Sequence, residues 1–265
     1  MLQNTRLLAV LQIIFFIIMI VVNALANILP MNGHTTAEVS AMYPNLFVPA
    51  GFTFSIWGII YLFLLVWVVY SGILLWRKDE KIPAYHHAKA IAPLFIISCI
   101  FNSSWIIFWQ YLQIIFSLMI MLWLLRTLIG IYIRMQKTKL QITGWDNWAL
   151  VVPFVIYLAW ICVATIANIT AMLIDVDWNG FGIQPWLWSC IMILIATGLS
   201  FWFGYLKGEL AFALVIAWAL FGIYKSQVDS KEISIMAIVC CGVSLTTGII
   251  GLMRSNRRTA LEGII

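Results

Sequence analysis

Trp57 and Tyr61 stand four residues apart, and so do Trp160, Ala164 and Asn168 in succession. On a helix that spacing places side chains one above another on a single face. Asn102 and Trp105, three apart, repeat the arrangement in another segment. Together such residues can bind: indole and phenol rings give flat apolar walls, and Asn, Ser and Thr give neutral hydrogen-bonding groups. Other chemistry is poorly supplied. No Asp or Glu falls in the middle of an apolar segment, and no nucleophile has a base beside it in a recognisable pattern, so no residue is expected to be catalytic. Cys99, Cys162, Cys190, Cys240 and Cys241 lie inside apolar segments without metal-ligand spacing and read as small apolar residues; no metal site is expected. No His falls mid-segment, which argues against an axial haem ligand and leaves no obligatory cofactor. His86 and His87 fall in a basic inner loop and read as solvated.

The elements that must position these residues are membrane helices. The chain has 265 residues, 64% hydrophobic and 9% charged, with a mean hydropathy of +1.02, whereas soluble domains carry about 25% charge. An all-α, polytopic membrane bundle follows, with the lipid membrane as its surroundings. A span needs roughly 20 mainly apolar residues, and eight segments meet this: 7–29, 52–76, 90–109, 112–134, 148–174, 186–205, 209–225 and 233–253. The seventh is the weakest, with Lys207 and Glu209 at its mouth. Arg6, an apolar run and "ALA" at 24–26 outline a cleavable secretory signal, but the run is long enough to span and reads as a retained helix.

Charge placement tests the count. With the N-terminus inside, Arg6, Arg77, Lys78, Lys81, Lys89, Arg126, Arg134, Lys137, Lys139, Lys207, Arg254, Arg257 and Arg258 fall on or near the inner side, and only Lys225 and Lys231 fall outside. Cytoplasmic loops collect Lys and Arg, so both termini are expected to be cytoplasmic and the number of spans even. The formal charge of +5 is what that rule produces, and no nucleic-acid partner is implied.

Within the spans the polar residues are neutral and share a depth. Asn23, Asn27, Ser55, Asn102, Ser103, Ser104, Gln113, Ser117, Thr165, Asn168 and Thr170 all fall in the outer halves of five helices. At 1.5 Å per residue, Asn102 and Asn168 would lie roughly 10 Å below the outer helix ends. Amides are costly in hydrocarbon unless paired, so they must face one another or a ligand; plain interhelical bonding is the alternative. Aromatic residues favour the ligand, since Trp57, Tyr61, Trp105 and Trp160 lie in or near the same layer. Trp76, Trp109, Trp145, Trp148, Trp178, Trp186 and Trp188 read as interfacial anchors. Arg126, a few turns inside the fourth span, is the one intramembrane charge; it either snorkels or pairs with a ligand.

"YPNLFVPAGFTFSIWGIIY" (43–61), with Pro49, Gly51, Trp57 and Tyr61, "NSSW" (102–105), "LW" (122–123) and "YLAWICVATIAN" (157–168) resemble the motifs of the translocator-protein or tryptophan-rich sensory protein family (TspO/MBR, peripheral-type benzodiazepine receptors). The resemblance covers about residues 1–175. It departs from the family pattern at Val48, Thr53 and Ile156. It implies a five-helix bundle over 1–175; the apolar runs in residues 176–265 are expected to form three further transmembrane helices, which have no counterpart in that family. It also implies an outer pocket for porphyrin, haem or a sterol-like ligand, lined by Trp57, Asn102 and Trp160, with Tyr61, Trp105, Ala164 and Asn168 near it.

The external loop 30–50 is expected to cover that pocket, with His34, Glu38, Tyr43 and Pro49 as lid residues. The glycines of the last three spans, Gly198, Gly204, Gly208, Gly242, Gly248 and Gly251, suit close helix packing or a homodimer. The expected function is a membrane receptor, carrier or sensor for a hydrophobic small molecule, in a bacterial plasma membrane. A multi-spanning transporter or permease component is the alternative, and an enzyme acting on porphyrin stays open.

Overall fold

The computed structural model describes residues 4–138 and 144–262, with side chains to residue 257. Lys139 and the side chain of Arg258, both counted among the inner cations, lie outside the described residues. The helices are α1 (Thr5–Ile28), α2 (Thr36–Ala41), α3 (Ile56–Arg77), α4 (Pro83–Gln110), α5 (Ile114–Thr138), α6 (Gly144–Leu150), α7 (Val152–Asp175), α8 (Pro185–Ser200), α9 (Leu210–Ser226) and α10 (Lys231–Glu262). Among the described residues there is no strand. Among the described residues seven helical stretches are long and apolar enough to cross a membrane, and Leu210–Ser226 is a shorter apolar helix in the position of the seventh expected span. The chain is therefore an all-α, multi-pass membrane bundle. At 17 residues α9 is about 25 Å long, a little less than the roughly 30 Å hydrocarbon core.

Two compact units divide the chain: residues 1–39 with 55–161, and residues 40–54 with 162–265. The boundary falls within α7.

In the first unit α1 packs against α3 and α4, α4 against α5, and α6 against α3 and α4. The buried face of α1 carries Leu8, Gln12, Phe16, Met19, Asn23 and Ala26, while Ile13, Ile17, Val21 and Leu25 are exposed. Apolar residues on both faces are what a helix between protein and lipid requires. At the heart of the unit Trp67 lies fully buried, its ring 4.4 Å from that of Phe95 and 5.0 Å from that of Phe154. Gln12 is also fully buried; its Nε2 donates to Val68 O at 3.2 Å and Ser71 Oγ at 3.0 Å. Buried polar groups are thus not confined to the outer half of the spans. This inner pair ties α1 to α3, consistent with the cost of an unpaired amide in hydrocarbon.

Helix ends follow local chemistry. Asn4 caps α1 by accepting from the Arg6 and Leu7 backbone N–H groups. Lys78 ends α3 in the left-handed region at φ 58°, its N–H returning to Leu74 O. The break between α6 and α7 falls at Val151, and Pro153 stands in the first turn of α7, where a missing N–H costs no helix bond. Two expectations are corrected at these ends. Gln113 is exposed in the turn between α4 and α5 and Ser55 is exposed at the start of α3, so neither joins a buried polar layer. His87 is not solvated: it is buried near the start of α4 with Nδ1 2.6 Å from Thr138 Oγ1. His86, by contrast, is exposed and meets Glu80 O at 2.8 Å.

In the second unit α8 continues through a π-helical turn, Phe201–Leu206, and packs with α9 and α10. Glycine sets how closely these helices approach. A Cβ on Gly251 would fall 2.0 Å from Gly204 O, and one on Gly248 would fall 2.6 Å from Ala213 Cβ, so the backbones are in contact. Gly198 and Gly242 do not share this role, since a Cβ at either meets nothing within 4 Å. Residues 40–54 lie along α9. Ala50 N–H donates to Gly222 O at 3.0 Å, and Trp218 Nε1 donates to Thr53 O at 3.0 Å. Thr53 is fully buried, and a Cβ on Gly222 would stand 2.1 Å from its Oγ1. A bulky aromatic at position 53 would not fit beside α9, which gives a physical reason for a small residue there.

Candidate functional site

Trp57, just inside the start of α3, is the hub of an aromatic cluster in the first unit. Its ring centroid lies 5.5 Å from that of Tyr61, one turn along the same helix and stacked. Trp105 of α4 is 5.8 Å away, and Tyr157 and Trp160 of α7 approach edge-on at 6.2 Å and 6.3 Å. Offset and edge-to-face contacts at these separations are favourable aromatic geometries. Trp57 and Tyr61 are half-buried, and Trp105, Tyr157 and Trp160 are buried. The fourfold spacing in α3, the N-x-x-W of α4 and the Y-x-x-W of α7 thus converge on one place.

Hydrogen bonding beside the cluster is ordered around Asn102. Its Oδ1 accepts from Asn23 Nδ2 at 2.7 Å, and its Nδ2 donates to Tyr157 Oη at 2.9 Å. Asn23 also donates to Met19 O at 2.9 Å. Three helices are joined by this chain of buried groups, so Asn102 acts first as a structural link. Two other polar atoms in the cluster are used differently: Tyr61 Oη and Trp105 Nε1 are buried without a hydrogen-bond partner. Buried donors left unpaired cost about 1–3 kcal/mol each, and a polar ligand atom beside them would offset that cost.

The first part of the loop 30–50 is bonded to the ends of α1 and α4. Asn27 Oδ1 accepts from Thr36 N–H at 3.2 Å, Trp109 Nε1 donates to Thr36 O at 3.3 Å, and Gln110 Nε2 donates to Ala26 O at 2.8 Å and His34 O at 2.5 Å. Trp109 is therefore no interfacial anchor; it is buried, stacked 6.2 Å from Trp105, and holds the loop. His34 contributes its carbonyl. Glu38 is exposed, and its carboxylate accepts from Thr35 N–H at 2.7 Å and Thr35 Oγ1 at 3.0 Å. These bonds hold its carboxyl below the ordinary range, with a smaller contribution from His34.

The remaining expected residues lie elsewhere. Ala164, half-buried, and Asn168, buried, are on the part of α7 that belongs to the second unit, as do the buried Tyr43 and Pro49 of the loop. Burial, and then the Asp175 carboxylate, raise the Tyr43 phenol above its usual value. Arg126 is exposed on α5 with its guanidinium 5.6 Å from the Trp123 ring centroid, an outward cation–π pair rather than a contact in the aromatic cluster.

Trp178 and Trp188 are also not simple anchors. Their rings lie 5.2 Å apart, and both line a pocket of about 740 Å³ within the second unit. Trp76, Trp145, Trp148 and Trp186 are exposed, as interfacial anchors should be. Among the described residues no group of acidic, His and Cys side chains could hold a metal ion.

The sequence pattern of a family described as TSPO-like protein matches residues 9–250. The match continues through α8 and α9 and into α10, beyond the segment from which the resemblance was read. No curated protein and no solved structure matches the chain.

Proposed function

The chain belongs to the TSPO-like family, and we propose that it is a receptor, carrier or sensor that binds a flat hydrophobic molecule in the Trp57 cluster. A porphyrin, haem or sterol-like compound has the size and shape for such walls. The observation that carries this reading is the pairing of a five-ring aromatic cluster with two buried, unpartnered donors, Tyr61 Oη and Trp105 Nε1. Mostly apolar walls with a few placed polar groups are the usual make-up of a small-molecule site. The Asn23–Asn102–Tyr157 chain fixes the helices that present the rings, and the Thr36 and His34 contacts hold the loop at the outer end. Ligand would enter from the outer face of a bacterial plasma membrane.

Equilibrium binding tests the proposal. Protoporphyrin titrated into the protein in lipid nanodiscs should quench tryptophan fluorescence to saturation, with weaker binding by Trp160→Phe and Asn102→Ala. Unsaturable quenching by folded wild-type protein would end the proposal and move the transporter alternative ahead.

A further inference from the structure

The second unit contains a pocket lined by none of the residues of the Trp57 cluster. Its walls are the loop residues Pro44–Val48, the last turns of α7, the turn 178–180, the start of α8, and Ser226 and Gln227 at the end of α9. Its volume, about 740 Å³, lies within the roughly 300–1,000 Å³ typical of small-molecule sites. Among the described residues that line it none is charged, and most are apolar.

Both sides of this pocket are held by bonds that fix the backbone. On one side Asn45 forms an Asx turn, with Nδ2 donating to Tyr43 O and Oδ1 accepting from Phe47 N–H, both at 2.9 Å. Gln227 Nε2 reaches Asn45 O at 3.4 Å, and Phe47 is buried. On the other side Trp188 Nε1 donates to Gly180 O at 2.9 Å, and Asn179 Oδ1 accepts from Phe181 N–H at 3.1 Å. That turn passes through the left-handed region at Asp177, Gly180, Phe181 and Gly182, a backbone that non-glycine residues adopt only at a cost. It places Trp178 against Trp188 with both indoles half-buried at the wall. A preformed pocket with two indoles and amides at its rim loses little entropy on binding.

We infer that this pocket is a second small-molecule site, taking an uncharged molecule with a flat aromatic part against Trp178 and Trp188 and an amide or hydroxyl directed to Gln227 or Asn179. An anionic ligand is disfavoured, since no lining cation would offset its desolvation. By the charge pattern, these helix ends face outside, so the molecule would arrive from the outer aqueous phase or the outer lipid interface.

The test is photolabelling of the full chain in nanodiscs with an uncharged benzophenone carboxamide, competed by benzanilide, with adducts mapped by mass spectrometry. Saturable, competed adducts on residues 44–48 and 178–192 are expected. Met192→Trp, which fills the pocket, should lower them roughly tenfold; Gln227→Leu, which removes an amide and leaves the volume, should weaken competition. Trp123→Phe, on the exposed face of α5, should change neither. Diffuse adducts that benzanilide does not compete would overturn the inference. So would competed adducts confined to Trp57, Tyr61, Trp105 and Trp160, an outcome that would leave the Trp57-cluster reading intact. Labelling at 178–192 that survives both substitutions in folded protein would likewise overturn it.

Discussion

Asn23 Nδ2 donates to Asn102 Oδ1 at 2.7 Å, joining α1 to α4 through two buried amides. Because Asn102 also donates to Tyr157, one side chain links three helices. Asn102→Ala should therefore remove a partner from both the Tyr157 hydroxyl and the Asn23 amide, which keeps only its bond to Met19 O. We expect a loss of about 2–3 kcal/mol of stability, read by thermal unfolding in nanodiscs, with Asn102→Asp recovering less than half. An unchanged melting temperature for Asn102→Ala would show that these bonds do not hold the helices.

Gly251 lies against the π-helical turn, where an added Cβ would be 2.0 Å from Gly204 O. Gly251→Ala should cost about 1–3 kcal/mol by overpacking, whereas Gly242→Ala, with nothing within 4 Å, should be nearly neutral. Equal melting temperatures for the two variants would contradict the close approach of α10.

The turn before α2 depends on pH through Glu38. Its folded carboxyl is held below the ordinary value of 4.5 by the Thr35 bonds, so it binds protons less readily folded than unfolded. The capping contribution is complete above the unfolded value and disappears as pH falls through the folded one. Protection of the Thr35 amide, taken relative to its intrinsic exchange rate at each pH, should therefore fall on acidification below the ordinary carboxylate range, and Glu38→Gln should remove much of that dependence. Protection that stays constant in the wild type would count against the capping role.

Trp188 secures the 178–182 turn through its indole N–H. Trp188→Phe keeps an aromatic ring, smaller than the indole, and removes that bond, so amide exchange at Phe181 and Gly182 should accelerate at least about fivefold, consistent with a net hydrogen bond of about 1 kcal/mol. No change in exchange would mean that the strained backbone holds itself.

Much of this architecture was legible because membrane helices declare themselves by length and charge. Seven of the eight expected spans, with the other present as the shorter apolar helix α9, and the convergence of Trp57, Tyr61, Trp105 and Trp160 follow from apolar runs and helical spacing. Gln12 escaped attention because a lone Gln in an apolar run gives no sign of its partner, and Ser71 stands 59 residues away. Trp109, Trp178 and Trp188 look like interfacial anchors because their sequence depth is right; only tertiary packing shows that they hold a loop or line a pocket. The compact units interleave residues 40–54 with 162–265, a division that no composition shift announces. Gly222 gives no local hint that Thr53 rests against it.

The most direct test of the ligand site removes its unpartnered donors while leaving an aromatic ring at each position. Protoporphyrin affinity would be measured by tryptophan quenching in nanodiscs for wild type, Tyr61→Phe and Trp105→Phe. We predict saturable binding by the wild type and a loss of roughly five- to tenfold for each variant, the equivalent of about one net hydrogen bond. Saturable wild-type binding unaffected by either substitution in well-folded protein would contradict the assignment of Tyr61 and Trp105 as the polar contacts of the site.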